Sequence, residues 1–573
     1  MGQEKLKNLQ VSSCFIASAI LLTVIQQPFN LSFLAWVALV PFVIGCLISK
    51  KIWPTVLFAY LVSLVYWLGN LYWIILVTIP GGIAFCIYIA LYWPILAICL
   101  RYCSQRRVPL WFALPILIVG AEAFQGLCFR GFGWRYLGHS QYANITIIQI
   151  ADIFGAAAVS FLVAMVNGFI VDLAPATWGG GRPPRTAAAK FVGIFLTLLA
   201  LIAAIFYGRY RINQAADFLE NGPVIGVVQP NLPVEAGKET EPLETTFLKL
   251  LIDSRTCFLT AKPSLIIWPE TMVEAVLDDS YLKLVSDDDT AKIFHSALLR
   301  HSGEGVYLLV GAFAGDAQKT DDSSGQSPPQ PGKIKLKTNY NSAFLYEPNQ
   351  TGARQYYNKI HLVPFGEYIP FKNILPVLGR YLMELTPYDY DYTLNPGRDF
   401  TIFKMKADDK TYRFGVLICY EDTVPKIART LTLDKNKNKQ IDWLVNISND
   451  GWFVRQEKDK IKPTVELAQH TAICVFRAVE NRVPIIRSVN TGISCYIDSL
   501  GKIHNDYADG TVAKQAFDRA GQRGWFADQI VIDKRVTFFS QIGQNLEVSC
   551  GVCLIFTVFM SIYKSRKHNA ERS

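Results

Sequence analysis

Charged residues are scarce in this chain. Asp, Glu, Lys and Arg make up 18% of its 573 residues, whereas hydrophobic residues make up 51%. This balance is too apolar for one ordinary soluble protein, and the length allows more than one domain. The apolar residues are concentrated in the first 207 positions and in one run near the end. The sequence therefore predicts a membrane protein with a large polar insert.

Histidine is also rare, and the cysteines have no repeated spacing. The seven histidines are scattered, which excludes a zinc signature, and the twelve cysteines form no disulfide or metal framework. Cys550 and Cys553 do form a CxxC, but inside the apolar run EVSCGVCLIFTVFM. Redox CxxC motifs need an accessible thiolate, so we interpret this pair as packing residues. We predict neither a metal nor a cofactor.

Eight apolar runs are long enough to cross about 30 Å of hydrocarbon. They cover residues 11–29, 31–48, 54–78, 81–100, 109–129, 150–174, 190–207 and 547–563. Residues 1–207 are therefore predicted to form a membrane domain of seven transmembrane helices. Residues 547–563 are predicted to form an eighth span, followed by a basic tail over 564–573.

Basic residues predict the orientation of these spans. Clusters of Lys and Arg fall on one side of the predicted membrane: Lys5, Lys7, Lys50, Lys51, Arg101, Arg106, Arg107, Arg182, Arg185, Lys190 and the tail. By the positive-inside rule both termini are cytoplasmic, and the insert 221–540 lies outside. We therefore attribute the net charge of +9 to the Lys and Arg clusters that orient the chain in the membrane, and we expect no nucleic-acid partner. A signal peptide over residues 1–25 is the alternative, but the run lacks a small-x-small cleavage site.

Residues 221–540 alternate between strand-like and helix-like segments, which is typical of an α/β domain. The predicted strands are VIGVVQPN, SLIIWPE, GVYLLVGAF, YNSAFLYEP, FGVLICYED, DWLVNISND and VPIIRSVNTG. The predicted helices are PLETTFLKLLIDSRTCFLT, DTAKIFHSALLRHSGE and PTVELAQHTAICVFRAVENR. A further helix is predicted over 422–433, with Asp422 as its N-cap.

Three of the predicted strand ends carry reactive side chains. Glu270 follows SLIIWP, Lys359 follows RQYYN, and Cys419 ends the apolar run GVLI. A carboxylate, an ammonium and a thiol are what acyl transfer through a thioester requires. The carboxylate takes the thiol proton, while the ammonium stabilises the thiolate and then the developing oxyanion. The backbone N–H of Tyr420 is the expected second oxyanion donor.

Each of these residues also has a structural interpretation. Glu270 could cap a following helix, and Lys359 could be a surface residue paired with Glu367. His361 offers a Cys–His dyad as an alternative, although Glu270 and Lys359 already fill the roles of base and cation. His470 is expected to make an ordinary polar contact on a helix. The coincidence of all three side chains with strand ends favours catalysis.

The three motifs WPE, YNKIHLVPFGEY and GVLICYED resemble, in this order, those of the nitrilase (carbon–nitrogen hydrolase) superfamily. With seven preceding spans and one following, the chain is similar over its whole length to the membrane branch of that superfamily, the apolipoprotein N-acyltransferases. VQPNLP, NISNDGWF and RAVENR strengthen the resemblance. One departure is Lys238, at about the position where the family has a tryptophan.

The resemblance implies an αββα sandwich with the triad Glu270, Lys359 and Cys419, and supporting roles for Glu367, Tyr420 and Glu421. It implies that a phospholipid donates an acyl chain to the cysteine. The acceptor is the α-amine of a diacylglyceryl-cysteine at an apolipoprotein N-terminus. The protein is then expected to lie in the bacterial inner membrane as a monomer, with its catalytic domain in the periplasm.

Two bulky lipid substrates that use one site in turn imply a ping-pong mechanism. The aromatic segment 373–394 is a candidate lid, or else an ordinary amphipathic helix. The stretch 130–139, RGFGWRYLGH, is interpreted as an interfacial aromatic belt.

Two other functions remain open. One is a membrane-tethered amidase for a small amide, although eight spans are excessive for a tether. The other is a transporter or scaffold, but Glu122 is the main charge within the spans, and transport pathways need more.

Overall fold

The computed structural model describes residues 2–49, 51–128, 131–174, 186–234, 241–319, 334–350, 352–369, 372, 377, 379, 383, 392–457 and 460–570. The chain divides into two compact units. The first contains Met1–Asp217, Ala468–Glu480 and Thr537–Ser573, and the second contains Phe218–Leu467 and Asn481–Val536. The predicted lid at 373–394 and Lys238 lie almost entirely outside the described residues.

The first unit is built from helices. In chain order they are Gly2–Val24, Ser32–Trp36 (3-10), Val40–Ile48, Ile52–Asn70, Tyr72–Val77, Ile79–Ile89, Tyr92–Gln105, Leu110–Gln125, Leu137–Gln141 (3-10), Ile145–Ile148, Ala151–Phe154, Ala156–Leu173, Ala187–Asn213, Gln214–Asp217 (3-10), Phe538–Ile542 and Asn545–Ala570. The helix Val465–Asn481 contributes its residues Ala468–Glu480 to this unit.

Several of these helices have the length and composition of membrane spans. In the described part of the chain, six helical segments are long and apolar enough: Lys7–Val24, Ile52–Asn70, Ile79–Gln105, Ala156–Leu173, Ala187–Asp217 and Asn545–Lys564. The predicted spans at 31–48 and 109–129 coincide with the shorter apolar helices Ser32–Ile48 and Leu110–Gln125. Phe191, Phe206 and Phe559 are 67–68% exposed, as expected for side chains that face lipid rather than protein.

Residues 131–139, the described part of the stretch 130–139, do not form the predicted interfacial belt. Trp134, Arg135 and His139 are 2%, 7% and 3% exposed, because the segment is enclosed by helices of the first unit. The Trp134 indole donates to Gln469 Oε1 at 2.9 Å, and the Arg135 guanidinium donates to Leu22 O at 2.8 Å. The alternation of aromatic and basic residues therefore reflects internal packing, and the interpretation from sequence is wrong.

The second unit is an α/β domain. Its strands are β1 (Leu219–Gln229), β2 (Leu265–Ile267), β3 (Val273–Val276), β4 (Tyr307–Ala314), β5 (Ala317–Lys319), β6 (Ile334–Leu336), β7 (Tyr340–Tyr346), β8 (Gln355–Asn358), β9 (Phe403–Ala407), β10 (Lys410–Ile418), β11 (Trp443–Ser448), β12 (Val454–Glu457), β13 (Lys460–Pro463), β14 (Ile485–Val489), β15 (Cys495–Ile497), β16 (Asp509–Gly510) and β17 (Gly524–Asp533). Its helices are Leu243–Ala261, Asp279–Leu282, Thr290–Ser302 and Pro425–Thr432, with 3-10 turns at Cys419–Thr423, Asp450–Phe453 and Ala516–Arg519.

Two sheets carry the fold. The larger has the order β16-β17-β1-β2-β4-β7-β8, with β3 also paired to β4, and the smaller has the order β15-β14-β11-β10-β9. Their facing sides share one core of buried side chains, including Val227, Leu309, Val416 and Val445. The alternation of large apolar residues along these strands places one face of each sheet in this core.

Helices cover the outer faces of the sandwich. Phe247 and Phe294, from Leu243–Ala261 and Thr290–Ser302, pack in one cluster with the outer residues of the larger sheet. On the smaller sheet Gly415 lies so close to the helix Pro425–Thr432 that a Cβ there would be 3.2 Å from the Leu431 side chain. These layers make an αββα sandwich, as expected from the sequence.

Parallel pairing brings the reactive strand ends to one edge. β10, β11 and β14 are parallel neighbours, and so are β1, β2 and β4. The carboxyl ends of parallel strands lie at the same edge of their sheet, where α/β proteins commonly build their sites. Glu270 follows β2 and Cys419 follows β10, so the topology places both residues beyond carboxyl ends of buried strands.

Candidate active site

Cys419 begins the turn that follows β10. Its φ of +53° is in the left-handed region, which is uncommon for a residue with a side chain and costs on the order of 1–3 kcal/mol. The conformation is held by Glu421, whose Oε2 accepts a hydrogen bond from Ile418 N at 2.9 Å. Cys419 is partly exposed as a residue, whereas residues 414–418 before it are buried, so the strained turn presents Cys419 at a buried strand end. This is the geometry expected of a nucleophile.

Asp422 does not cap the following helix. The chain first makes the 3-10 turn Cys419–Thr423, and the helix Pro425–Thr432 then begins after Val424, without a side-chain cap. Asp422 is instead fully buried, and its Oδ2 accepts from Arg487 Nη1 on β14 at 2.7 Å. The N-cap prediction is wrong because the carboxylate is needed to pair with a buried arginine below the turn.

Glu270 lies in the turn after β2 and is 5% exposed. Its Oε2 accepts from Asn449 N at 2.8 Å, and its Oε1 accepts from Asn341 Nδ2 at 2.7 Å. The next element is the strand β3 rather than a helix, so the carboxylate does not serve as a helix cap. It is fixed from two sides and is available to a neighbouring proton donor.

Lys359 follows β8 and is 1% exposed, so the alternative of a surface lysine is wrong. Its Nζ lies 3.2 Å from Glu270 Oε1 and 2.7 Å from Glu367 Oε1. Burial lowers the pKa of this ammonium, but Glu270, Glu367 and Cys419 together raise the pKa well above its usual value. Lys359 therefore stays charged, and its charge is shared between two carboxylates.

Glu367 is the expected ion-pair partner of Lys359, and it is also anchored to its own loop. Its Oε2 accepts from Val363 N at 2.8 Å, while its Oε1 faces the ammonium. One oxygen thus fixes the carboxylate in the turn and the other fixes the lysine.

Asn341 is absent from the site residues predicted from sequence, yet it joins both carboxylates. Its Nδ2 donates to Glu270 Oε1 at 2.7 Å and to Glu367 Oε1 at 3.1 Å. Its backbone carbonyl accepts from Lys359 N at 2.8 Å. The only sequence signal is its place at the start of β7, in YNSAFLYEP, where a polar residue interrupts a strand that is otherwise buried.

The thiol of Cys419 lies within the field of these charges. Burial and then the Glu270 carboxylate raise its pKa, Lys359 lowers it, and the outcome is a pKa well above the usual value for cysteine. The resting thiol is therefore protonated, and a base is required when it attacks. Glu270 is the carboxylate whose charge acts most strongly on it, which agrees with the role predicted for that residue.

Glu421 holds the turn of Cys419 against the loop of Lys359. It is fully buried and accepts from Ile360 N at 2.7 Å and from His361 N at 2.9 Å, besides Ile418 N and the Tyr357 hydroxyl. Burial raises the pKa of this carboxyl to about 7, against the opposing effect of these donors. We therefore interpret the predicted supporting role of Glu421 as the alignment of the Cys419 turn with the loop of Lys359.

Tyr420 and His361 lie over one another beside the thiol. Their rings are 5.9 Å apart and nearly parallel, at 17°. The backbone N–H of Tyr420 follows Cys419 directly, so its part as an oxyanion donor remains a prediction. The Cys–His dyad remains the weaker alternative, because Lys359 and Glu270 are the groups whose charges act on the thiol.

Two protein-family models match the chain. Residues 18–169 match the family model of the apolipoprotein N-acyltransferase N-terminal domain, and residues 261–525 match that of the carbon–nitrogen hydrolases. Over most of its length the chain is similar to apolipoprotein N-acyltransferases. An apolipoprotein N-acyltransferase of Geobacter metallireducens is 29% identical over 509 residues, which cover 85% of each chain. Apolipoprotein N-acyltransferase 1 of Treponema denticola is 24% identical over 562 residues, covering 94% of this chain and 93% of its own.

The solved structures that resemble this chain correspond to part of it. Nit3 of Saccharomyces cerevisiae, a member of branch 10 of the nitrilase superfamily, covers 57% of this chain and 96% of its own, with 16% identity and a TM-score of 0.33. The family assignment rests on the sequence matches.

Proposed function

We propose that this protein transfers an acyl chain from a phospholipid to the N-terminal amine of diacylglyceryl-apolipoproteins, through a thioester on Cys419. The observation that carries the proposal is the cluster of Glu270, Lys359 and Glu367, in which the charges of Glu270 and Lys359 act on the Cys419 thiol at a strained turn. The match of residues 18–169 to the apolipoprotein N-acyltransferase N-terminal domain supports lipid substrates for this site.

In the first half-reaction Glu270 removes the thiol proton as the sulfur attacks the ester carbonyl carbon of the phospholipid. A C–S bond forms, and the negative charge that develops on the carbonyl oxygen is stabilised by Lys359 and the Tyr420 N–H. The C–O bond to glycerol then breaks. Glu270 returns the proton to the leaving oxygen, and a lysophospholipid departs.

In the second half-reaction the free α-amine of the apolipoprotein attacks the thioester carbon. Glu270 takes a proton from the amine, the C–N bond forms, and the C–S bond breaks. The sulfur then recovers its proton, which restores the resting thiol favoured by its raised pKa. The overall exchange of an ester for an amide is downhill and needs no nucleotide.

Lys359 is held by two carboxylates rather than one, and this suits the reaction. Glu270 has to become neutral during catalysis, and Glu367 keeps a negative charge 2.7 Å from the ammonium when it does. Since the lysine remains paired, its position and charge persist while Glu270 carries the proton.

We also propose that the chain crosses the bacterial inner membrane eight times, with both termini in the cytoplasm and residues 221–540 in the periplasm. The placement of Lys and Arg supports this sidedness. The short apolar helices Ser32–Ile48 and Leu110–Gln125 supply the two spans beyond the six long ones.

A membrane-tethered amidase is the rival function, because the same triad hydrolyses small amides elsewhere in the superfamily. It does not account for the family match of residues 18–169.

The deciding test incubates purified protein with phospholipid and a synthetic diacylated lipopeptide that has a free N-terminal cysteine amine. Mass spectrometry is expected to find one added acyl chain, amide-linked at that amine. A lipopeptide that stays unmodified in the presence of active, folded protein would contradict the proposal.

A further inference from the structure

A cavity of about 90 Å³ lies among the helices of the first unit. Its walls are largely apolar and include Leu39, Phe42, Trp93 and Ile118. Arg135 also lines this cavity. A cationic side chain in an apolar cavity of a membrane unit is costly and therefore marks a functional site.

Arg135 is 7% exposed, and most of its hydrogen-bonding groups have partners. Its Nε donates to the Tyr66 hydroxyl at 3.1 Å, and its Nη2 donates to Leu22 O at 2.8 Å and Thr23 O at 3.4 Å. These two carbonyls belong to the last turn of the helix Gly2–Val24. The partial negative charge of a helix C-terminus, about half an elementary charge, offsets only part of the charge of a guanidinium.

The remaining part of the guanidinium has no partner. Arg135 Nη1 is buried without a hydrogen-bond acceptor, and within the described ranges no carboxylate forms an ion pair with Arg135. Trp67, which lines the same cavity and is 5% exposed, has an indole Nε1–H that also lacks an acceptor. Two unsatisfied donors, one of them charged, therefore border one cavity. Leaving such donors buried costs stability unless an anion accepts from them.

Glu122 also lines the cavity. Its Oε1 accepts from Leu137 N at 2.6 Å, whereas its Oε2 is buried without a donor. Among the described residues no ion pair joins Glu122 to Arg135, so the donors of Arg135 and Trp67 remain open to an anion that enters the cavity.

We propose that this cavity binds the phosphate of a phospholipid, with Arg135 and Trp67 as donors to the phosphate oxygens and the apolar wall beside the first part of an acyl chain. Arginine is well suited to phosphate, because its planar group donates in a fixed geometry and holds its charge when buried. The volume admits several water-sized groups, which is enough for a phosphate but not for a whole lipid. The rest of the lipid then extends beyond the cavity.

The choice of a phospholipid as the amphiphile rests on the proposed function, because a phospholipid is the acyl donor there. The existence of an anion site at Arg135 and Trp67 does not depend on the proposed function. These two residues belong to the first unit and take no part in the chemistry at Cys419. Binding and catalysis can therefore be tested separately.

The test uses full-length protein in the Cys419→Ala background, so that no acyl chain is consumed. A phosphatidylglycerol with a diazirine beside its headgroup is photo-crosslinked, and labelled peptides are mapped by mass spectrometry. Label is expected on peptides from 52–70 and 92–105, and unlabelled phosphatidylglycerol should compete for it. Dioleoylglycerol, which has the same chains without phosphate, should compete at least tenfold less well.

Variants separate the site from a general effect on the fold. Arg135→Gln is expected to weaken binding tenfold or more, Arg135→Lys less, and Trp67→Phe by a smaller factor with an unchanged melting temperature. Arg101→Gln is the matched control, because Arg101 also donates to helix-terminal carbonyls, Cys46 O and Ser49 O, in the same unit. Glu122→Gln removes a negative charge that would repel the lipid phosphate, so binding should be equal or stronger.

Four results would overturn the proposal. They are undiminished labelling in both Arg135→Gln and Trp67→Phe, equal competition by dioleoylglycerol, equal competition by inorganic phosphate, and a loss of binding in Glu122→Gln as large as that in Arg135→Gln. The third result would mean a free-anion site, and the fourth would mean an internal pair of Arg135 with Glu122. If binding behaves as expected but wild-type protein transfers no acyl chain, the lipid site stands and the proposed function fails.

Discussion

At the scale of single residues, Glu270 combines restraint with reactivity. Its carboxylate accepts hydrogen bonds from Asn449 N, Asn341 Nδ2 and Lys359 Nζ. Its negative charge also raises the pKa of the Cys419 thiol. These donors fix the orientation of the carboxylate. Because the pKa of the Cys419 thiol is raised, proton transfer from this thiol to Glu270 is less favourable than it would be from an ordinary cysteine.

Replacing the base or the cation should remove activity while keeping the fold. Glu270→Gln retains the size and an acceptor oxygen but cannot take a proton, and loss of a general base costs about 10²–10⁴ in rate. Lys359→Ala should cost at least as much, since it removes the cation and an oxyanion donor. Single-turnover acylation kinetics measure both effects, and near wild-type rates in either variant would exclude that residue from the mechanism.

Asn341 offers a finer test, because it acts through the two carboxylates rather than on the substrate. Asn341→Ala should lower kcat by about tenfold, the cost of about one hydrogen bond to a charged group, with little change in KM. Asn341→Asp should be worse than Asn341→Ala, because it adds a third negative charge beside Lys359. A shift of the lower limb of the pH–rate profile should accompany the loss. A uniform rise in KM without that shift would instead indicate a merely structural residue.

The sequence predicts Glu270, Lys359, Cys419 and Glu367 because each stands at a recognisable strand end or loop in a motif with clear chemistry. Asn341 escapes prediction because its role depends on hydrogen bonds across strands, which leave no periodic signal along the chain. The burial of Trp134, Arg135 and His139 escapes prediction for a similar reason: aromatic and basic residues are equally suited to a membrane interface and to a polar core.

At the scale of elements, Glu421 connects the end of β10 with the loop after β8. Four groups donate to it, from Tyr357, Ile360, His361 and Ile418. The same carboxyl has its pKa raised to about 7 by burial. The relative placement of Cys419 and Lys359 therefore depends on one buried acid.

This acid predicts a pH dependence of stability. Between about pH 4.5 and 7 the folded state keeps the Glu421 proton that the unfolded chain has lost. The unfolding free energy from this group is then fully present below pH 4.5 and falls as the pH rises to 7. Melting temperatures of wild type and Glu421→Gln, measured across that range in detergent, should fall more steeply with pH in wild type than in the variant. Parallel curves for the two proteins would contradict the assignment.

The strands near the centre of each sheet are predictable from periodicity, but the other strands and the connections are less so. The seven strands expected from apolar runs are all present, whereas β17 is not among them although it lies beside β1. The segment 524–533 mixes polar and apolar residues, and its role emerges only when it pairs with β1. Asp422 similarly looks like a cap until Arg487 on β14 is brought next to it.

At the scale of the whole molecule, the proposed sidedness places chemistry and substrate together. In this proposed arrangement the donor phospholipid and the apolipoprotein would meet at the periplasmic face, where a downhill acyl transfer needs no nucleotide. The sequence predicts this arrangement from the distribution of Lys and Arg.

Two engineered thiols test this sidedness. Lys435 is exposed in the second unit, and Ala188 is exposed at the start of the helix Ala187–Asn213. In intact spheroplasts a membrane-impermeant maleimide should label Lys435→Cys immediately and Ala188→Cys only after lysis. The protein without added cysteines gives the background. The opposite pattern would invert the proposed topology.

The central claim is that Cys419 carries the acyl chain, and the mass of the protein tests it most directly. Purified protein given phospholipid without acceptor should gain one fatty-acyl mass on the peptide that contains Cys419, with a burst of about one lysophospholipid per enzyme. Hydroxylamine should remove this mass, and a lipopeptide with a free amine, but not an acetylated one, should discharge it. Cys419→Ala should gain nothing. No adduct in active protein, or an adduct on Cys257, Cys474 or Cys495, would contradict the account.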